Sequence, residues 1–263
     1  MGKALASLAV VSAVAAVAAA TAAAADEVST NWAGYAIADL QTVESGTSTT
    51  PLTFTSVTAT WKQPKVSCSA GSTSYSAFWV GLGGLASTSE ALEQIGTGAD
   101  CTATGKAVYY AWYELVPAAS VPVSLKVRPG DTITASVNVT GTSVLVQVKD
   151  RTRKTSFTKR LFMAAPDLTS AEWIAEAPSG CSQIGDCRVL PLSNFASVTF
   201  TRIAAIADGH PGTVTDPTWA SALIRLIPES GPGASPSKAG ATPAAVSSDG
   251  RIFAVAWDPT PTA

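Results

Sequence analysis

The segment Ala171–Glu176, reading Ala-Glu-Trp-Ile-Ala-Glu, places two carboxylates in one short apolar run. Side chains alternate along an extended chain, so Glu172, Ile174 and Glu176 share one face while Trp173 and Ala175 take the other. Four residues at roughly 3.3 Å each hold the two carboxylates about 13 Å apart, too far to share a proton. Acid–base chemistry at either one therefore needs a partner from another strand. Other hydrolytic chemistries find less material. His210 is the only histidine and sits in the turn-like Asp208-Gly209-His210-Pro211-Gly212, and no Gly-x-Ser-x-Gly elbow supplies a serine nucleophile. The Asp-Thr/Ser-Gly signature is also missing: Asp131-Thr132-Ile133 and Ser248-Asp249-Gly250 read as turns. Carboxylates and carboxamides remain.

Strands must position these groups. Val57, Ala59 and Trp61 alternate with Thr58, Thr60 and Lys62, and Ile133, Ala135, Val137 and Val139 alternate with Thr132, Thr134, Ser136 and Asn138. Val144, Val146 and Val148 follow across Gly141-Thr142, which predicts a hairpin of half-buried antiparallel strands. Further strands are expected over 76–82, 108–115, 121–127, 155–162, 171–176, 198–207, 222–227 and 253–257. No segment after the leader keeps a helical period for three turns. Many short strands separated by turns such as Pro129-Gly130-Asp131 predict an all-β fold, an antiparallel β-sandwich.

Residues 1–25 carry one charge, Lys3, and an Ala/Val-rich run ending Ala23-Ala24-Ala25, which reads as a secretory signal peptide. About 238 residues then follow, taken as one domain over 26–228, with a Pro/Gly/Ser-rich surface excursion and a closing strand over 229–263. Removing Lys3 from the 17 basic residues leaves 16 against 19 acidic ones, so neither nucleic acid nor an anionic membrane is an expected partner. Only 14% of residues are charged. Hydroxyls must solvate much of the surface, which is compatible with acidic surroundings because hydroxyls do not titrate there. Cys68, Cys101, Cys181 and Cys187 in an exported chain read as two disulfides. Three pairings are possible, and the short interval from Cys181 to Cys187 suggests a local clasp that leaves Cys68 to Cys101. A zinc site competes poorly without a Cys-x-x-Cys unit. The sequon Asn138-Val139-Thr140 falls inside a strand pattern and is treated as incidental.

Ordered blocks along residues 29–200 resemble the glutamic peptidases, also called eqolisins. Ser29-Thr30-Asn31-Trp32-Ala33-Gly34 is similar to the family's Ser-Asn-Trp-Gly-Gly, Trp79-Val80-Gly81-Leu82-Gly83-Gly84 to Trp-Val-Gly-Ile-Asp-Gly, and Leu92-Glu93-Gln94-Ile95-Gly96 to Ile-Leu-Gln-Thr-Gly. The run from Tyr110 to Pro117, with Trp112, Tyr113 and Glu114, resembles Tyr-Asp-Ala-Trp-Tyr-Glu-Trp-Tyr-Pro, and 171–176 resembles Ala-Glu-Phe-Ile-Ile-Glu. The cysteine clasp and 191–200 match the closing region.

The resemblance implies a lectin-like jelly roll and a secreted acid endopeptidase that needs neither cofactor nor metal. It implies Glu176 as the base that deprotonates water and reprotonates the leaving amine, and Gln94 as the group that holds the water and stabilises the oxyanion. A carboxylate titrating near ~4 can act as a base at acid pH, and a carboxamide keeps one state throughout. Trp32, Trp79, Trp112 and Tyr113 are expected along the substrate cleft. Glu114 is expected in support, as is Glu172, the substitute base should the strand register differ. Two departures stand out: Gly83 where the family has Asp, and Ala177 where an acid is common. The extra residues 64–74, with Cys68, are expected to reshape the cleft edge. The partner would be a peptide and the enzyme a monomer. The rival expectation is a noncatalytic carbohydrate- or peptide-binding sandwich, which needs no convergence of Gln94 and Glu176.

Overall fold

The computed structural model describes residues 25–39, 51–181, 187–229 and 238–262. The leader read over 1–25 lies outside these apart from Ala25, as do the residues between the Cys181–Cys187 pair and the middle of the 229–263 excursion.

The described residues hold strands and turns with no helix. In chain order the strands are β1 (Ala25–Ser29), β2 (Trp32–Ala38), β3 (Phe54–Lys62), β4 (Ala77–Leu82), β5 (Leu92–Cys101) and β6 (Ala107–Val116). The chain continues with β7 (Val121–Val123), β8 (Thr132–Thr140), β9 (Ser143–Asp150), β10 (Thr155–Phe162), β11 (Ser170–Glu176) and β12 (Ser179–Cys181). The last six are β13 (Cys187–Val189), β14 (Ser197–Ala207), β15 (His210–Gly212), β16 (Ala220–Leu226), β17 (Gly240–Pro243) and β18 (Ile252–Asp258).

One hydrogen-bonded path runs β10-β9-β8-β3-β14-β18-β17-β16-β2-β11-β4-β5-β6-β7. Its pairs are antiparallel, and β1 joins β16 in parallel. The path folds back on itself, so β4, β5 and β11 pack over β3, β8, β9 and β14. Between these layers lie Tyr35, Trp61, Phe78, Val80, Ile95, Val137, Val146, Trp173, Phe195 and Phe200. The alternating strands β8 and β9 show the expected half-burial, with valines inward and Thr, Ser and Gln outward. At the predicted hairpin, Thr140 pairs with Ser143 across Gly141.

Several elements differ from expectation. β2 and β5 carry no alternation because both of their faces are covered, and such strands read as continuous small or apolar runs. β5 also contains Gly96 and Gly98. A Cβ on Gly96 would stand 2.6 Å from Trp79 Cβ, and one on Gly98 would run into the Tyr110 ring. These glycines let neighbouring aromatics lie flat over the sheet. The expected surface excursion contains β17, which pairs with β18, and β18 in turn pairs with β14. The strand expected over 121–127 stops at Val123. Cys68 and Cys101 form a disulfide, which ties the extra 64–74 segment to the end of β5. Cys187 is disulfide-bonded, and the β12–β13 register sets it opposite Cys181.

Candidate active site

The outer face of the β11-β4-β5-β6 sheet carries a second apolar cluster of Ala77, Trp79, Leu92, Trp112, Ile174 and Ile224, with Trp32 and Leu85 against it. Strand alternation selects this set, since Trp79, Trp112 and Ile174 face out while Phe78, Tyr113 and Trp173 face the interlayer core.

Glu176 ends β11, with Trp32 of β2 on one flank and Ala77 of β4 on the other. Its carboxylate accepts from Trp79 Nε1 at Oε2, 2.7 Å, and from Asn31 Nδ2 at Oε1, 3.2 Å. Asn31 is itself held by a local turn. Its backbone N–H and that of Trp32 donate to Ser29 Oγ, and its carbonyl accepts from Ala177 N at 2.8 Å. Burial pushes Glu176 up to about 7; the hydrogen bond from Trp79 opposes the shift and the nearby charge of Glu114 adds to it. The hydrogen bonds from Trp32 and Asn31 pull the other way.

Gln94 is buried on β5, opposite Gly81 of β4 and Glu114 of β6. Its Nε2 donates to Glu114 Oε2 at 2.6 Å, which fixes the amide orientation, while its Oε1 is buried with no protein partner. A carboxamide has two N–H donors and one acceptor oxygen, so one donor and the oxygen stay available to a substrate or water. Gln94 and Glu176 flank the Trp79 indole. The indole N–H reaches Glu176, and the point where a Gly81 Cβ would stand is 2.9 Å from Trp79 Cζ3 and 3.3 Å from Gln94 Cβ. Glu114 connects the two in a second way, bonding Gln94 and lying close enough to Glu176 to repel its charge. Burial raises Glu114 above the ordinary carboxylate range as well, against the hydrogen bonds from Gln94 and the Ser120 backbone.

Trp32 packs edge-on against Trp79 with ring centroids 5.0 Å apart, and Trp112 lies on the same face. Tyr113 corrects the expectation of a cleft residue: it points into the interlayer core, stacks on Phe157 at 6.0 Å and accepts a hydrogen bond from Lys159 Nζ. The alternation that places Trp112 and Glu114 on the cleft face requires this. Glu172 is also corrected as a substrate contact. It is wholly buried between Ala36 and Gly81, and burial raises it well above the usual carboxylate range against the opposing influence of the Ser170 hydroxyl. Glu93, on the opposite face of β5, rises to about 8 for the same reason.

The two departures have a structural basis. Gly83 adopts φ +80°, and a Cβ there would stand 2.5 Å from Asp167 Cβ. Asp167 thus fills the space a residue-83 side chain would need. It accepts from Gly84 N at 3.2 Å, from Thr169 N at 2.9 Å and from Ser89 Oγ; burial acts to raise its carboxyl, but these hydrogen bonds together outweigh it and hold the group below the usual range. Ala177 is buried, and an acid there would lie in the core. Asn31 and Asp167 are site residues that sequence reasoning passed over. The Ser29-Thr30-Asn31-Trp32 block contained the first, whereas nothing local marked the second.

Asp100, on the Gln94 face of β5, is raised by burial to about 6 despite a hydrogen bond with Tyr110, whose ring covers Gly98 in the row of Glu176. His210 lies away from these groups and pairs with Asp216 at 2.9 Å. Among the described residues no three His, Cys, Asp or Glu side chains cluster as a metal site.

The geometry has counterparts. A family model for the Peptidase A4 family matches residues 30–228. Scytalido-glutamic peptidase, solved with a transition-state analogue inhibitor, is 24% identical over 87% of this chain and 98% of its own, with a TM-score of 0.65. SCP-B, a member of the eqolisin family solved with the tripeptide Ala-Ile-His, is 22% identical over 87% and 98% with a TM-score of 0.62. Aspergilloglutamic peptidase from Aspergillus niger is 26% identical over 70% and 99% with a TM-score of 0.53. No curated protein sequence matches the chain. With the model spanning most of the sandwich and including Asn31, Gln94, Glu114 and Glu176, the chain belongs to the Peptidase A4 family, the glutamic peptidases.

Proposed function

We propose that the protein is a secreted endopeptidase in which Glu176 transfers the proton and Gln94 stabilises the oxyanion. The observation that carries this is the pair itself. A half-buried carboxylate held by Trp79 and Asn31 and a buried carboxamide with a free oxygen and a free N–H flank one indole on an aromatic-lined face. The scissile carbonyl would lie over Trp79. Ionised Glu176 takes a proton from the attacking water as the carbon–oxygen bond forms. The carbonyl oxygen becomes an oxyanion that receives the free Gln94 N–H, and the proton on Glu176 passes to the leaving nitrogen as the carbon–nitrogen bond breaks. Trp79 and Asn31 stabilise the charged form that opens the cycle.

The position of Glu176 at about 7 favours a second reading on the acid side. At about pH 4 only about one Glu176 in 10³ is ionised. In that range the protonated carboxyl would open the reaction by donating to the carbonyl oxygen, and its conjugate base would then take the water proton. Cleavage of an unfolded protein across about pH 3–8 separates the two. Base-first activity falls as pH drops through Glu176's ionisation, while acid-first activity falls as pH rises through it. Absence of cleavage by folded wild-type protein at every pH rejects the peptidase assignment, and full turnover by Glu176→Gln rejects Glu176 as the proton-transfer group. Export of the chain and a monomeric state belong to the same proposal; secretion of the processed protein and its hydrodynamic mass test them.

A further inference from the structure

A recess adjoins the Trp32 side of the Glu176 site. Its volume is about 280 Å³, and it lies between β1 and the Gly84–Leu85 turn. This is below the ~300–1,000 Å³ of pockets that take whole small ligands. It matches a single side chain of an extended peptide. Trp32, Leu85 and Ile224 supply apolar walls, Ser29 and the Gly84 backbone add polar points, and Glu27 stands at the exposed lip. The parallel register sets Glu27 beside Ile224, the buried wall residue of β16. The basic group nearest in sequence register, Arg225, alternates to the other face and is occupied by Asp26 at 2.9 Å and the Thr262 carbonyl at 3.0 Å. Among the described residues Glu27 therefore makes no ion pair at the mouth of an otherwise apolar slot. Asp167 holds the opposite wall in place by accepting from Gly84 N.

We infer that this recess is a substrate subsite for a long basic side chain, with Glu27 as its specificity determinant. The aliphatic stem of a lysine or arginine lies against Trp32, Leu85 and Ile224, and its cationic head meets the Glu27 carboxylate at the solvent edge. The backbone of the same peptide then passes Asn31 and Trp32 toward Glu176. The inference rests on the peptidase reading above.

The test uses quenched peptides in which lysine or its uncharged near-isostere norleucine is placed in turn at each position around the cleaved bond, at one fixed pH where wild type is active. At one position wild type should cleave the lysine peptide about threefold to fivefold faster in kcat/KM, the range of an exposed ion pair. Glu27→Gln should bring that ratio near one, and Glu27→Lys should invert it, with the norleucine rate unchanged in both. About 1 M salt should erase the wild-type preference. A ratio equal in wild type and both variants at every position overturns the subsite while leaving the peptidase intact. Failure of folded wild type to cleave any peptide overturns the peptidase reading, and the subsite with it.

Discussion

The 2.7 Å hydrogen bond from Trp79 Nε1 to Glu176 Oε2 makes Trp79→Phe an informative change, because it removes one donor while keeping an aromatic ring beside Gly81. Burial drives Glu176 upward, and the Trp79 bond is the largest influence opposing it. A hydrogen bond to a charged group is worth ~1.5–3 kcal/mol. At 1.36 kcal/mol per unit its loss should raise the Glu176 ionisation by about 1–2 units, from about 7 to about 8–9. The assay is kcat/KM against pH for wild type and Trp79→Phe, since that parameter reports ionisations of the free enzyme. If Glu176 opens the reaction as a base, the variant should be about 10–100-fold slower at about pH 6 and recover at higher pH. If it opens as an acid, the variant should hold its activity to a higher pH than wild type. The acid limb in the first reading and the alkaline limb in the second both move to higher pH. A limb that stays in place or moves down would refute the account of how the site sets this carboxyl.

Glu176→Gln should abolish turnover with an unchanged thermal midpoint, and retained turnover would reject its role. Gln94→Ala should lower kcat by about 10²–10³ with a smaller change in KM, as loss of an oxyanion donor does; an equal change confined to KM would mark Gln94 as a binding group only. Glu93 is about 8 in the folded protein against an ordinary 4.5, so the fold holds a proton that the unfolded chain releases between those values. Stability is therefore full below about 4.5 and falls as pH rises toward 8, by roughly 5 kcal/mol from this group. Urea midpoints at acid and mildly alkaline pH should show a smaller drop for Glu93→Gln than for wild type, and equal drops would sink this assignment. Gly83→Asp, which restores the family residue, should destabilise by about 1–3 kcal/mol because the side chain meets Asp167 at a positive φ; neutral stability in a urea titration would contradict it.

The hairpin β8–β9 was legible because each of its strands exposes one face to water, so polarity alternates with the pleat. β5 was illegible as a strand although it carries Gln94, since Leu92, Gln94, Gly96 and Gly98 contribute small or polar groups to a face roofed by aromatics. Family blocks supplied Gln94 and Glu176 where periodicity could not. The same blocks misled at Tyr113, where a run of neighbouring aromatics was taken as one lining even though alternation splits it between two faces. Asp167 could not be seen locally, for its significance arises only where the connection between β10 and β11 folds beside Gly83.

Asp167 and Gly83 occupy one volume from two distant parts of the polypeptide, so evolution can place a side chain at either address but not at both. Related chains should accordingly show an exclusion pattern, with glycine at the first position wherever the second bears this acid. The paired exchange Gly83→Asp with Asp167→Gly is the shortest mutational route that carries a carboxylate from one wall to the other without passing through a collision.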